Sequence, residues 1–169
     1  MRKDPDFGCT DELELLSQFL DYQRGTILMK AEGLDKAQMG RELPPSDLTM
    51  AGLLLHLALV EDGWFQHGFL GLPAPERWAF VDRASDPDWD FHHAADLEPE
   101  TLRSLYREAC ERSRQVVREA TGLAQMSAGQ RDGRHFTLRW IILHLIEETA
   151  RHAGHADFLR QAIDGRVGE

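Results

Sequence analysis

Apolar residues fall into four stretches with the spacing of a helix that buries one face, separated by segments rich in Gly, Pro and Asp. The first runs from about Thr10 to Glu32. Leu13, Leu16, Phe19, Leu20, Ile27 and Leu28 form its apolar face, Thr10 stands where an N-cap belongs, and Gly33 where the helix should end. A short helical turn over Asp35–Met39 follows, and Pro44-Pro45 forces a break. The second stretch, about Thr49 to Leu70, is apolar nearly all round, through Met50, Leu53, Leu54, Leu57, Val60, Trp64 and Phe65. Such a helix lies in the middle of a bundle. The third, about Pro99 to Ala120, buries Leu102, Leu105, Tyr106, Ala109, Val116 and Val117 and is strongly charged outside; Gly122 closes it. The last runs from Thr137 to Gly165 with Leu138, Ile141, Ile142, Leu145, Ile146, Thr149, Ala153, Ala156, Leu159 and Ile163 on one face. From Gly71 to Pro99 there is no helical period beyond a short helix near Pro75–Phe80, and its aromatic residues are expected to pack on the body over a pocket mouth. A loop through Gly129 and Gly133 leads to the last helix. No segment alternates as a strand does. The pattern predicts an all-α protein, a four-helix bundle of antiparallel type with one long crossover connection, and a single domain over residues 1–169.

Composition narrows the function. A net charge of −10 opposes a nucleic-acid role, which needs clustered Lys and Arg. The longest apolar run, AGLLLHLALV, is ten residues long and carries His56, too short to span a membrane. The N-terminal MRKDPDFG lacks the apolar core of a secretory leader, and Cys9 and Cys110 make no disulfide framework, so a cytoplasmic protein is expected. Trp64, Phe65, Phe69 and Leu70 crowd the end of the second helix. Either the 71–99 loop or the second copy in a homodimer should cover them.

The last helix also carries His144, Glu147, Glu148, His152 and His155. At roughly 100° per residue, Glu148 and His152 lie one turn apart at the edge of the apolar stripe, whereas Glu147 points away and His144 lies roughly 80° further round. A carboxylate and an imidazole at this spacing can share one metal ion, although the same pair also occurs on solvated helix faces. A third donor is available in His56, flanked by Leu53 and Val60 one turn to either side. It is either a core histidine satisfied by one hydrogen bond or a ligand facing the last helix. Two imidazoles and one carboxylate suit a tetrahedral zinc with an open position, and equally a mononuclear ferrous centre. The sequence holds neither the paired Glu-x-x-His motifs of a di-iron bundle nor the H-E-x-x-H of a zinc protease. Cys110 reads as packing. His67, His92, His93 and His135 read as surface or loop residues, with His92 and His93 the nearest to a pocket.

LTMAGLLLHLALVEDGWF followed by TLRWIILHLIEETARHAGHADFLRQAIDG resembles the DinB-like superfamily of four-helix metalloproteins. The likeness covers nearly the whole chain. It is strongest over RW-x(3)-H-x(2)-EE-x(3)-H-x-GH-x-D and weak in the 71–99 loop. Superfamily members hold a divalent metal with one histidine of the second helix and two ligands four apart on the last, often His-x-x-x-His. Here those positions are Glu148 and His152, as in the mycothiol-dependent maleylpyruvate isomerases and related mycothiol S-transferases. The resemblance implies His56, Glu148 and His152 as metal ligands, zinc as the ion with nickel as the alternative, and a thiol such as mycothiol as co-substrate for an electrophile. Arg139, Trp140, Arg151 and His155, beside the ligands, are candidate contacts for that thiol. The competing reading is a non-catalytic metal-binding module, stress-linked or dimerising.

Overall fold

A computed structural model describes residues 2–168. Four long helices make the body: α1 (Glu12–Ala31), α3 (Met50–Asp62, prolonged by a π-helical segment Gly63–Phe69), α5 (Pro99–Glu119) and α6 (Leu138–Asp164). Two short ones, α2 (Lys36–Met39) and α4 (Trp89–His93), lie in the connections, and the described residues contain no named strand.

Local chemistry sets the helix ends. Thr49 and Thr137 accept from the amides of Gly52 and Trp140, as expected of N-caps. Gly165 closes α6 with φ 79°, where glycine escapes the Cβ penalty. Two readings need correction. Asp11, one residue beyond Thr10, caps α1 by accepting from the Glu14 amide. Phe19, placed in the core by periodicity, is 44% exposed.

The helix directions follow from side-chain contacts at opposite ends. Arg139 meets Glu12, while Arg160 donates to the carbonyls of Lys30 and Glu32, so α6 runs parallel to α1. His56 faces Glu148 whereas Trp64 faces Trp140, so α3 and α6 are antiparallel. Arg114 reaches Asp21 while Arg103 reaches the Ala31 carbonyl, setting α5 against α1. The bundle is therefore not antiparallel throughout. The crossover from α3 to α5 makes those two parallel, and α1 with α6 forms the other parallel pair.

Two apolar clusters fill the interior. One gathers Ile27, Leu53, Leu54, Leu57, Leu102, Tyr106 and Ala156; the other gathers Leu20, Phe65, Val116, Leu138, Ile141 and Leu145. On every long helix the passage from one to the other carries polar residues: Arg24, Glu61, Ser113, and the stretch from Glu148 to His152. Arg24 grips Glu61 with two short bonds of 2.7 and 2.6 Å, both side chains almost wholly buried. Cys110 packs against this pair; burial first and Glu61 second push its thiol up, so it stays protonated.

Trp64, Phe65 and Phe69 are buried in a cluster with Val116, Leu123, Phe136, Leu138 and Ile141 of the same chain, so these three need neither the 71–99 loop nor a second copy to cover them, whereas Leu70 stays 40% exposed. The loop itself holds more helix than its sequence suggested. A 3₁₀ turn at Glu76–Trp78 falls where a short helix was expected, and α4 is an addition. Trp78 Nε1 donates to Asp62 at 2.8 Å, and Arg112 clamps the same carboxylate from α5. At the other anchor Phe91 lies on Gly52, where a Cβ would come 2.9 Å from its ring. No helix among the described residues is long and apolar enough to cross a membrane.

Candidate metal centre and its cleft

His56 on α3 meets Glu148 and His152 on α6 because both helices turn their apolar faces to each other and these three sit at the edge. The two imidazole Nε2 atoms converge on one carboxylate oxygen: His56 and His152 each lie 3.3 Å from Glu148 Oε1. One ligand-type atom from each residue lies within 4.8 Å of the others. All three side chains are largely, not wholly, buried, at 18%, 16% and 10% exposure in the order His56, Glu148, His152.

The surrounding groups fix orientation and protonation. Asp90, delivered by α4 and itself buried, lies 2.8 Å from His56 Nδ1. A carboxylate there accepts the Nδ1 proton and leaves Nε2 facing Glu148. Arg83 holds Asp90 from outside, and Phe91 stacks on the His56 ring at 4.8 Å. Burial pushes Asp90 upward, but the bonds from His56 and Arg83 outweigh it and keep the carboxyl below its ordinary value. Glu148 is lowered by the same contest, burial against its two histidines. Desolvation, then the nearness of His56, pushes His152 down to about 4, so its imidazole is neutral at physiological pH. His155 Nδ1 sits 3.3 Å from His152 Nδ1.

The donor set fits a divalent cation. It has two imidazole nitrogens, one carboxylate oxygen, a carboxylate behind one imidazole, and three protein donors rather than four. Its outer face opens into a cleft of about 940 Å³, lined by His56 and Glu148 at one end and by Trp64, Phe136, Trp140, His144, Arg131 and Arg134 towards the other. The π-helical segment turns Gly63, Trp64, His67 and Gly68 into this cleft, in line with His56, Leu59 and Val60 on the preceding turns.

The remaining expectations divide. Trp140 lines the cleft. Arg139 does not: its guanidinium is engaged by Glu12 on α1. Arg151 bonds Glu147 and Glu148 from the solvent side, and His155 reaches the centre through His152. His92 and His93 turn to Asp86, away from the cleft, while His67, read as a surface residue, lines it. Asp90 and Arg83 were missed. Their only sequence signal was an acidic, aromatic loop too long to be a simple connector.

A bundle that brings histidine and carboxylate donors together from facing helices, beside an open cleft, has the architecture in which helical proteins build ion sites. The chain belongs to the mycothiol S-transferase family, whose profile matches residues 15–165. Its DinB-like fold is shared with two solved structures. One is a variant of the mycothiol-dependent maleylpyruvate isomerase: TM-score 0.61, 16% identity, covering 85% of this chain and 60% of that one. The other is a conserved protein from Enterococcus faecalis: TM-score 0.64, 16% identity, covering 94% of this chain and 100% of that one. The chain thus spans about 60% of the isomerase's length. No curated protein matches the sequence.

Proposed function

We propose that the protein is a metal-dependent thiol S-transferase that joins a low-molecular-weight thiol, mycothiol or a comparable one, to an electrophilic substrate. The observation that carries this reading is the convergence of His56 Nε2 and His152 Nε2 on Glu148 Oε1 at the end of an open cleft. Family membership supports the choice of thiol. His56, Glu148 and His152 would hold the ion, zinc first and nickel as the alternative. A divalent cation held there would lower the pKa of a coordinating thiol from about 8.5 towards neutrality. Asp90 keeps the proton on His56 Nδ1, and Phe91 and the α6 face exclude water from the rear of the site. The open cleft admits the electrophile to the sulfur. The S–H proton leaves to solvent, and the sulfur pair forms the S–C bond. The carbon's leaving group departs with its bonding pair, or a conjugated double bond shifts its pair to a carbon that takes a proton from water.

The test is single-turnover conjugation of a model electrophile with each biological thiol, on metal-loaded protein with and without chelator. Product that needs metal and thiol together is expected. A rate that ignores chelator, or none with any thiol, would move the assignment to a non-catalytic metal-binding module.

A further inference from the structure

The α3–α6 centre is not the only place where imidazoles share a carboxylate. The loop that carries Asp90 inward holds a second cluster on its solvent side. Asp86 Oδ2 lies 2.8 Å from His92 Nδ1 and 3.7 Å from His93 Nε2. Ligands 2.0–2.1 Å from a tetrahedral ion stand roughly 3.3 Å apart, and the two separations bracket that value. Among the described residues only His56, Glu148 and His152 have donor atoms all within 4.8 Å of one another. Bringing both outer imidazoles onto one ion therefore takes a turn of the His92 ring. That ring is nearly half exposed and makes no aromatic contact among the described residues, so it is free to turn.

Local structure aims the other two donors. The Asp88 amide donates to Asp86 Oδ1 at 3.1 Å, which leaves Oδ2 to the histidines. His93 stacks on Trp89 at 4.8 Å and 23°, Trp89 meets Phe80, and Phe80 meets Trp78, whose indole is anchored on Asp62. Asp96 Oδ2 stands 3.9 Å from His93 Nδ1, behind the ring, as Asp90 stands behind His56. Electrostatics favours a cation here. From Asp82 to Glu98 the chain carries six carboxylates and a single Lys or Arg, Arg83, which is bonded to Asp90. No Lys or Arg among the described residues pairs with Asp86. The bond from Asp86 and the charges of Asp86, Asp88 and Asp47 raise the His92 pKa, so the position draws positive charge. Ion pairs between exposed groups stabilise a fold little, so stability alone gives no reason for two imidazoles on one carboxylate.

We propose that Asp86, His92 and His93 form a second, exchangeable site for a divalent transition-metal ion of the zinc and nickel class, on the solvent side of α4. Asp86 Oδ2, His92 Nδ1 and His93 Nε2 supply three donors, and water completes the shell. The imidazoles select this class over magnesium and calcium, which take oxygen donors. The site depends neither on the α3–α6 ligands nor on thiol chemistry. Its donors are exposed, so its ion is lost on dialysis that the buried centre withstands.

The experiment titrates untagged full-length His152→Ala protein, its α3–α6 centre disabled, with Ni²⁺ alone, followed by tryptophan fluorescence and calorimetry. One binding step is expected, with quenching of Trp89, the indole stacked on His93. Adding His92→Ala/His93→Ala should weaken that step by more than the about 10-fold that loss of a supporting residue costs. Asp86→Asn should weaken it as well, and Trp89→Phe should remove most of the quenching while the heat remains. Zinc-loaded, dialysed parent protein should show the same step, which separates the result from any folding defect of His152→Ala. No step in either protein, a step unchanged by the double histidine variant, quenching that survives Trp89→Phe, or displacement of Ni²⁺ by Mg²⁺ would overturn the proposal. If the parent retains no zinc yet shows the step that needs His92 and His93, the second site stands and the α3–α6 assignment fails.

Discussion

At the scale of single residues, the centre depends on a side chain that does not belong to the donor set. Asp90 bonds His56 Nδ1 at 2.8 Å and is itself held by Arg83, so Asp90→Asn keeps the shape but loses the charge that fixes the imidazole tautomer. Loss of such a supporting carboxylate weakens metal affinity by about 10- to 100-fold. Zinc competition titration of the Asp90→Asn protein should show that drop, and unchanged affinity would mean that Asp90 only anchors its loop. Arg139→Ala, by contrast, should leave metal affinity unchanged, because its partner is Glu12. That Glu148 and His152 share one face was legible in sequence because a helical period fixes which positions lie together. His56 was legible only as an alternative, since an imidazole among leucines is equally a packed core residue. Asp90 was not legible at all. Its place is set by the tertiary contacts of an irregular loop, and no local period encodes those.

At the scale of elements, the helices were readable to within a residue or two, because caps and apolar stripes are local signals. Their mutual direction and the π-helical widening after Asp62 were not, since both arise from packing between distant segments. The turn joining Arg131 to Arg134 had a local sign that went unread: Asp-Gly is the pair a type I′ turn prefers. The polar layer between the two apolar clusters makes its own prediction. Arg24→Met leaves Glu61 buried without its partner and should cost about 3–5 kcal/mol of stability. Arg24→Met/Glu61→Leu removes both charges and should cost less than the single change. Urea unfolding of the two variants measures this directly, and additive losses would show that the pair does not act as a unit. The close approach of Phe91 to Gly52 gives another expectation. Gly52→Ala should push Phe91 and its neighbour Asp90 off His56, and so weaken metal binding while far-UV circular dichroism stays unchanged. Unaltered affinity would show that the loop adjusts without disturbing His56.

At the scale of the whole molecule, two parallel helix pairs joined by a crossover leave one seam, between α3 and α6, where donors from distant parts of the chain meet. The opposite seam is closed by ion pairs, among them Asp21 with Arg114 and Arg24. Burial raises the Asp21 pKa, but its bond from Arg114 and the charge of Arg24 bring it below the ordinary value. A carboxyl lowered in the folded state adds stability above its unfolded pKa of about 3.9, and that stability is lost as pH falls through the folded value. Asp21 is partly exposed, so the term is small, about 1 kcal/mol or less. Asp21→Asn should therefore lower the urea midpoint at pH 7 and match the parent protein in strong acid; an equal deficit at both would assign its role to packing. The claim on which the rest stands is that the α3–α6 seam holds one divalent ion. It is tested most directly by the zinc retained after loading and exhaustive dialysis in the parent protein and two single variants on one helix. One equivalent in the parent and in His144→Ala, with little or none in His152→Ala, is the predicted result; equal retention in all three, or none in the parent, would contradict it.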